Sequence, residues 1–413
     1  MKRPGRPLHE HELSDLLPGF DVRGMDLSLD RMMTALDQLH QPASSIPAVQ
    51  IVGTNGKGSI ACLIHHGLMA AGLRSGLTTS PHLVSWCERI RVNDQLISLA
   101  GLRHTLEQLQ PVVERCGLTP FEQIICCALI HFEAHQPHWL VLEAGLGGRL
   151  DATTAHGKRP LIAVASIGMD HREHLGDSLE AIAAEKAAAI GEGAHVISAA
   201  QTPEVTAVLE QRVNEVHGSM QWVDPLDASW SLGLPGNLQK RNAAVAEAAL
   251  QWMRSSHAVI SDQAIRQGFA SAHWPGRLQW MRWRGQRLRV DGAHNPPAAI
   301  ELAHERLSWP SAETRQIWIL AIQAQKQAPE MLQQLLSPQD QAWIVPVPGH
   351  RSWSVDQLRQ ALPLQAQQLK SADNAVEAFH QLLDQGWPAA APVVAGSLYL
   401  IGHLLENGTL EAE

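Results

Sequence analysis

Apolar and polar residues alternate along this chain with two periods, and the points where one period gives way to the other mark its elements. Residues 48–52 form a short, mostly apolar, β-prone run that reads as a buried strand, and Gly53, Gly56 and Gly58 crowd around Lys57 directly after it. From Ile60 the period becomes helical through Leu63, Ile64, Leu68 and Ala71, until Gly72 supplies a stop. A strand at 76–79 runs into Ser80-Pro81-His82-Leu83. Leu99, Leu102, Leu106, Leu109 and Val113 make a second helical stripe, which Pro111 is expected to bend or end. A helix carrying Ile124, Ile125 and Leu129 precedes a strand at 139–142 that ends at Glu143, and a strand at 161–167 stops at Gly168-Met169-Asp170-His171. Further helices are expected at 27–39, at 177–190 with Asp177 and Glu180 as its N-cap pair, and in an alanine-rich run to Met253. Strands at 288–290, 316–322, 342–347 and 392–395 start another such block near residue 285. Strands alternating with helices predict an α/β protein whose mainly parallel sheet is covered on both faces.

Lys57, Ser80, Glu143 and His171 each fall just beyond the carboxyl end of a predicted strand, where open α/β sheets place their ligands, so they are expected to share one crevice. The glycines around Lys57 suit a phosphate cradle: they let backbone N–H groups approach an anion, the following helix offers its positive end, and the lysine adds a point charge. The pattern is a variant of the P-loop, because Ile51 stands at the first glycine position and Gly58 intervenes before Ser59.

Composition narrows the class. A length of 413 residues with 45% hydrophobic content predicts two domains with proper cores. Acidic residues (41) outnumber basic ones (32), and the formal charge of −9 argues against a general nucleic-acid or membrane-surface role. Cys62, Cys87, Cys116, Cys126 and Cys127 show no paired metal spacing, and their odd number suggests reduced thiols. The N-terminus lacks the apolar core of a signal peptide, and no apolar run approaches the ~20 residues of a membrane helix. The expectation is a cytoplasmic monomer with no nucleic-acid or membrane partner.

Lys186 is unusual. It lies seven residues after Leu179, on the apolar face of the expected 177–190 helix, where a charged amine is costly unless it is paired, neutralised or chemically altered. Either its stem packs inward while the amine reaches solvent or a carboxylate, or it faces the crevice as a functional group.

An ordered set of motifs spans nearly the whole chain: Gly53-Thr-Asn-Gly-Lys-Gly-Ser59, Ser80-Pro-His-Leu83, Glu88-Arg-Ile-Arg91, Phe121-Glu122, Glu143 through Thr153, Asp170-His171, Glu185-Lys186, Pro275-Gly-Arg277 and Asp291-Gly-Ala-His-Asn-Pro296. In this the sequence resembles Mur-ligase-type amide ligases, and within them the folylpolyglutamate synthase/dihydrofolate synthase family. The resemblance implies an N-terminal P-loop-type ATPase domain (1–280), a linker (about 281–286) and a smaller C-terminal Rossmann-like α/β domain (287–413) that closes over the nucleotide. It implies an ATP-dependent ligase that joins L-glutamate to dihydropteroate, to folates or to both through an acyl phosphate; the other readings are a Mur-type ligase for another amino-acid acceptor and a catalytically silent nucleotide-binding protein.

The resemblance also assigns roles. Thr54, Asn55, Gly56, Lys57, Gly58, Ser59, Asn242, Arg277, Asp291 and His294 would bind ATP; Ser59, Ser80, Glu143 and His171 would hold Mg²⁺, with imidazole the least usual partner for so hard a cation. Lys57, His171 and Lys186 would be catalytic, Lys186 aligning with a lysine that is N-carboxylated in related ligases. Asp26, Leu27, Thr119, Phe121, Glu122 and Asp151 would take the pterin or folate, with Phe121 able to stack on a flat ring. The chain departs from the family where Gln325-Lys326-Gln327 replaces an acidic triplet, where Asn237 replaces a frequent histidine, and at Thr154, where asparagine is usual.

Overall fold

The computed structural model describes residues 13–17, 28–310 and 315–413. Asp26 and Leu27 lie outside the described residues. The chain divides into two compact units, one of Leu8–Leu234 with Gln239–Trp274, the other of Pro235–Leu238 with Pro275–Glu413.

The first unit is built on an eight-stranded sheet: β1 (Ala48–Val52), β2 (Ser75–Thr78), β3 (Ile90–Val92), β4 (Gln95–Leu96), β5 (Trp139–Glu143), β6 (Leu161–Val164), β7 (His195–Ala199) and β8 (Ser219–Val223), in the order β4-β3-β2-β5-β1-β6-β7-β8. β2, β5, β1, β6, β7 and β8 pair in parallel with one another, and β3 and β4 add an antiparallel margin beside β2. β1 lies at the centre, and all five of its residues are buried, as a strand covered on both faces requires. Val49 and Ile51 point to the face covered by the helices Lys57–Ala70 and Leu238–Met253, which share their apolar cluster. The other face carries two separate apolar clusters: one with Ala48, Leu140 and Leu142 under the helices Leu99–Cys116 and Pro120–His135, the other with Val52, Ile162 and Val164 under Leu179–Ala187 and Pro203–Glu215. Gln50 stands between them.

The second unit has a seven-stranded sheet of β9 (Gln279–Trp283), β10 (Gln286–Val290), β11 (Ile317–Leu320), β12 (Gln341–Ile344), β13 (Leu369–Ser371), β14 (Val393–Ala395) and β15 (Glu411–Ala412), ordered β13-β12-β11-β14-β10-β9-β15. Its five strands β10 to β14 are parallel, while β9 and β15 add an antiparallel margin.

Three local expectations change. The helix Leu99–Cys116 does not end at Pro111, which lies on its exposed side, but continues to Gly117, whose φ of +69° ends it. The cap of Leu179–Ala187 is Ser178, whose hydroxyl accepts from the Ala181 N–H, while Asp177 pairs with Arg172. Residues 281–286, expected as linker, make the end of β9, the turn at Arg284-Gly285 and the start of β10, because their alternating residues pair across a hairpin.

Candidate active site

Four consecutive strands of the first sheet, β2, β5, β1 and β6, deliver the expected residues to one edge. β1 ends in the phosphate loop, β5 in Glu143, β2 runs to Ser80 and β6 leads to Asp170-His171. Since neighbouring strands lie ~4.8 Å apart, four such ends span about 15 Å, the scale of a nucleotide. Hydrogen bonds then tie the segments together. The Ala144 N–H donates to the Ile51 carbonyl (3.0 Å), joining the end of β5 to β1. The Ser80 N–H donates to Glu143 Oε2 (3.1 Å). Thr54 Oγ1 donates to the Gly168 carbonyl (3.0 Å) and accepts from the Gly168 N–H (3.1 Å), which pins the His171 segment to the phosphate loop.

The loop has the build of an anion cradle. Gly56, at φ +94°, caps the helix Lys57–Ala70, and a Cβ there would lie 2.6 Å from Asn242 Oδ1, so only glycine fits between that side chain and the turn. Asn242 is itself oriented by its bond to Gln239. Lys57 folds back so that Nζ donates to the Gly53 and Thr54 carbonyls, both at 3.2 Å. Ser59 is 1% exposed and its hydroxyl has no hydrogen-bond partner. Such an orphaned polar atom costs stability, and a ligand oxygen or cation at the loop would satisfy it.

Glu143 is 5% exposed at the strand end. His171 occupies the left-handed region (φ +51°) at the start of the short helix Arg172–Leu175, with its backbone N–H on Asp170 Oδ1 (2.9 Å) and its ring beside the same carboxylate. Among the described residues no group of three or more His, Cys, Asp and Glu side chains is arranged to hold a metal ion.

Lys186 is 4% exposed, and its amine donates to the Gly53 carbonyl (2.9 Å) at the heart of the phosphate loop. Burial is the main force that lowers its pKa to about 7; the nearby Lys57 charge adds to that, and Asp170, Asp151 and Glu185 oppose it. The amine therefore faces the phosphate loop, and the side chain is almost wholly shielded from solvent.

Of the residues expected at the pterin end, the described polar ones are held by hydrogen bonds within the protein. Thr119 and Glu122 form a capping box at the start of Pro120–His135, and Glu122 also accepts from Arg31 through both oxygens. Asp151, 2% exposed, accepts from the N–H groups of Gly145, Leu146 and Thr153 and from the Thr153 hydroxyl. The Phe121 ring lies against Gly145, where a Cβ would approach it to 2.6 Å, so this ring sits just beyond Glu143. In the second unit, Asp291 accepts from the Leu278 and Ala293 N–H groups, Arg277 donates to the Gly276 carbonyl, and the His294 ring is bonded to the Gly292 carbonyl. The altered triplet leaves Gln327 Oε1 buried without a partner, and Asn237 donates its backbone N–H to Glu305. Two residues outside the expected set matter here: Trp274, whose indole packs on Gly58, and Gln50, a polar residue inside an otherwise apolar strand, which was the visible signal.

Residues 279–407 match the family described as dihydrofolate synthetase, C-terminal domain. The chain is 33% identical over 312 residues to the dihydrofolate synthase/folylpolyglutamate synthase of Bacillus subtilis, covering 68% of this chain and 72% of that one. To the enzyme of the same name from Escherichia coli it is 30% identical, covering 94% and 93%. Among solved structures it is similar to Mycobacterium tuberculosis folylpolyglutamate synthase complexed with ADP and AMPPCP (TM-score 0.85, 26% identity, 97% and 100% covered). It is equally similar to E. coli FolC in complex with DHPP and ADP (TM-score 0.85, 28% identity, 98% and 99% covered).

Proposed function

The chain belongs to the dihydrofolate synthase/folylpolyglutamate synthase family, and from that premise we propose that it spends ATP to join L-glutamate both to dihydropteroate and to folates. The observation that carries this reading is the run of four adjacent strand ends that present Lys57, Ser80, Glu143 and the Asp170-His171 segment along one sheet edge, with Lys186 aimed at the same loop.

A carboxylate resists attack by an amine, so its oxygen first bonds to the γ-phosphorus of ATP while the bond to the β-phosphate oxygen breaks and ADP leaves. The glutamate nitrogen then bonds to the acyl carbon, sheds a proton and expels phosphate. Both steps bring anions together, and Lys57 with the N–H groups that open the helix Lys57–Ala70 offsets that charge. Thr54, Asn55, Gly56, Gly58 and Asn242 shape the cradle; Arg277, Asp291 and His294 are proposed as further nucleotide contacts on the strength of their motifs.

The donor chemistry of the edge fits magnesium: Ser59 offers a buried hydroxyl with no protein partner, and Ser80 and Glu143 add hard oxygens, with His171 as a fourth candidate. When bound, the ion would neutralise phosphate charge. Lys186, pushed toward neutrality, is proposed to bind CO₂ through Nζ with loss of a proton, which makes it an oxygen acid beside the loop. On the folate side Phe121 is proposed as the ring contact, with Thr119, Glu122 and Asp151 holding the walls behind it. The working unit is proposed to be a monomer. No helix among the described residues is long and apolar enough to cross a membrane.

The test is ADP release in the presence of dihydropteroate or tetrahydrofolate. Release that requires L-glutamate with either acceptor is expected. Release at the same rate without glutamate, or with other amino acids in its place, would overturn the reading.

A further inference from the structure

Gln50 is fully buried in the middle of β1, at the seam where the two apolar clusters on that face of the sheet meet. A buried amide persists only when its donors and acceptor are matched. Here they are: Nε2 donates to the Thr153 and Thr154 hydroxyls, each at 2.8 Å, and Oε1 accepts from the Arg159 guanidinium.

Each partner passes the connection on. Arg159 Nη1 also donates to the Ala189 carbonyl (2.6 Å), just past the helix that carries Lys186, and its Nε donates to the His156 carbonyl (2.8 Å). Thr154 Oγ1 donates to the Gly148 carbonyl (2.6 Å). The Thr153 hydroxyl donates to Asp151, whose other oxygen holds the Gly145 and Leu146 N–H groups immediately after Glu143. The circuit closes where the Arg149 N–H donates to the Glu185 carbonyl (2.9 Å), next to Lys186. A polar seam thus runs beneath the strand that ends in the phosphate loop. At one end it holds the loop that follows Glu143, and at the other the helix that carries Lys186.

We propose that Gln50, Arg159 and Thr154 are positioning residues of the ligase reaction, which fix the loop after Glu143 and the Lys186 helix relative to the phosphate loop. The proposal rests on the reading of Lys186 given above. These side chains act through the groups they hold, so their loss is felt in the reacting geometry more than in nucleotide capture. Small displacements of catalytic groups cost rate steeply.

The experiment uses the full-length enzyme and the gentlest cut in the circuit. Thr154→Val removes one hydroxyl without changing side-chain shape, and Thr154→Ser restores it. Thr154→Val is expected to lower kcat about 10-fold, with KM for ATP within about 2-fold of wild type, and Thr154→Ser to recover most of the loss. Arg159→Met is then measured alone and with Lys186→Ala; because Arg159 acts through Lys186, its effect on kcat should shrink several-fold in the double variant. An unchanged kcat in folded Thr154→Val, a loss that Thr154→Ser does not recover, or full additivity of Arg159→Met with Lys186→Ala would each overturn the proposal. A Lys186→Ala enzyme with wild-type turnover would instead overturn the assignment of Lys186 itself.

Discussion

Two groups of motif residues lie in the same unit and are built in opposite ways. Along the strand-end edge the polar groups keep capacity for a ligand: the Ser59 hydroxyl has no partner, Lys57 rests on its own loop's carbonyls, and the Lys186 amine is buried against the Gly53 carbonyl. At the pterin-assigned motifs the capacity is already filled. Glu122 serves a helix cap and Arg31 at once, and Asp151 accepts four hydrogen bonds from its own loop. Motif residues are therefore of two physical kinds. Those with unfilled valence should report on chemistry when replaced, and those with filled valence should report first on stability.

The sharpest way to break this contrast is Lys57→Ala. Loss of the only lysine on the phosphate loop should lower kcat/KM for ATP by about 1,000-fold, with the melting temperature within a few degrees of wild type. A wild-type rate would end the site assignment. Next comes Glu122→Ala, which removes the capping box and leaves the partly buried Arg31 without its carboxylate. It should cost about 2 kcal/mol in denaturant unfolding, while the folded fraction keeps turning over ATP. If it abolished activity at full stability, Glu122 would belong with the first kind.

Lys186 adds a dependence on pH. Its folded-state pKa near 7 lies below the unfolded value of 10.5, so between these limits the unfolded chain binds more protons and folding stability rises with pH. The contribution is complete above about 10.5 and lost as pH falls through about 7. Chemical unfolding across this window should show that slope, and Lys186→Met should flatten it. Turnover should also fall as the amine protonates below pH 7, and added bicarbonate should raise it.

Much of the edge was legible because chemistry and periodicity coincide there: strands announced by apolar runs end in Glu143, Asp170-His171 and the glycine-rich loop, and the heptad from Leu179 to Lys186 pointed the lysine inward. What escaped has physical reasons. The strand β9 alternates half-buried Trp280 and Arg282 with buried Met281 and Trp283, so apolar residues fall on both faces and no clean period of two marks the hairpin. β3 and β4 are three and two residues long, too short to show a period. Asp177 and Ser178 compete as caps, and local sequence does not say which side chain turns inward. The filled valence of Glu122 and Asp151 depends on partners tens of residues away or on loop geometry, neither of which spacing reveals.

Ser59 brings the claim to one residue. In Ser59→Ala, melting temperature and turnover should part company: stability should hold or rise, because a buried hydroxyl without a partner is removed, while kcat falls by about 10-fold or more. Turnover that stays at the wild-type level in the folded variant would contradict the view that the unpartnered Ser59 hydroxyl at the phosphate loop is held open for the reaction.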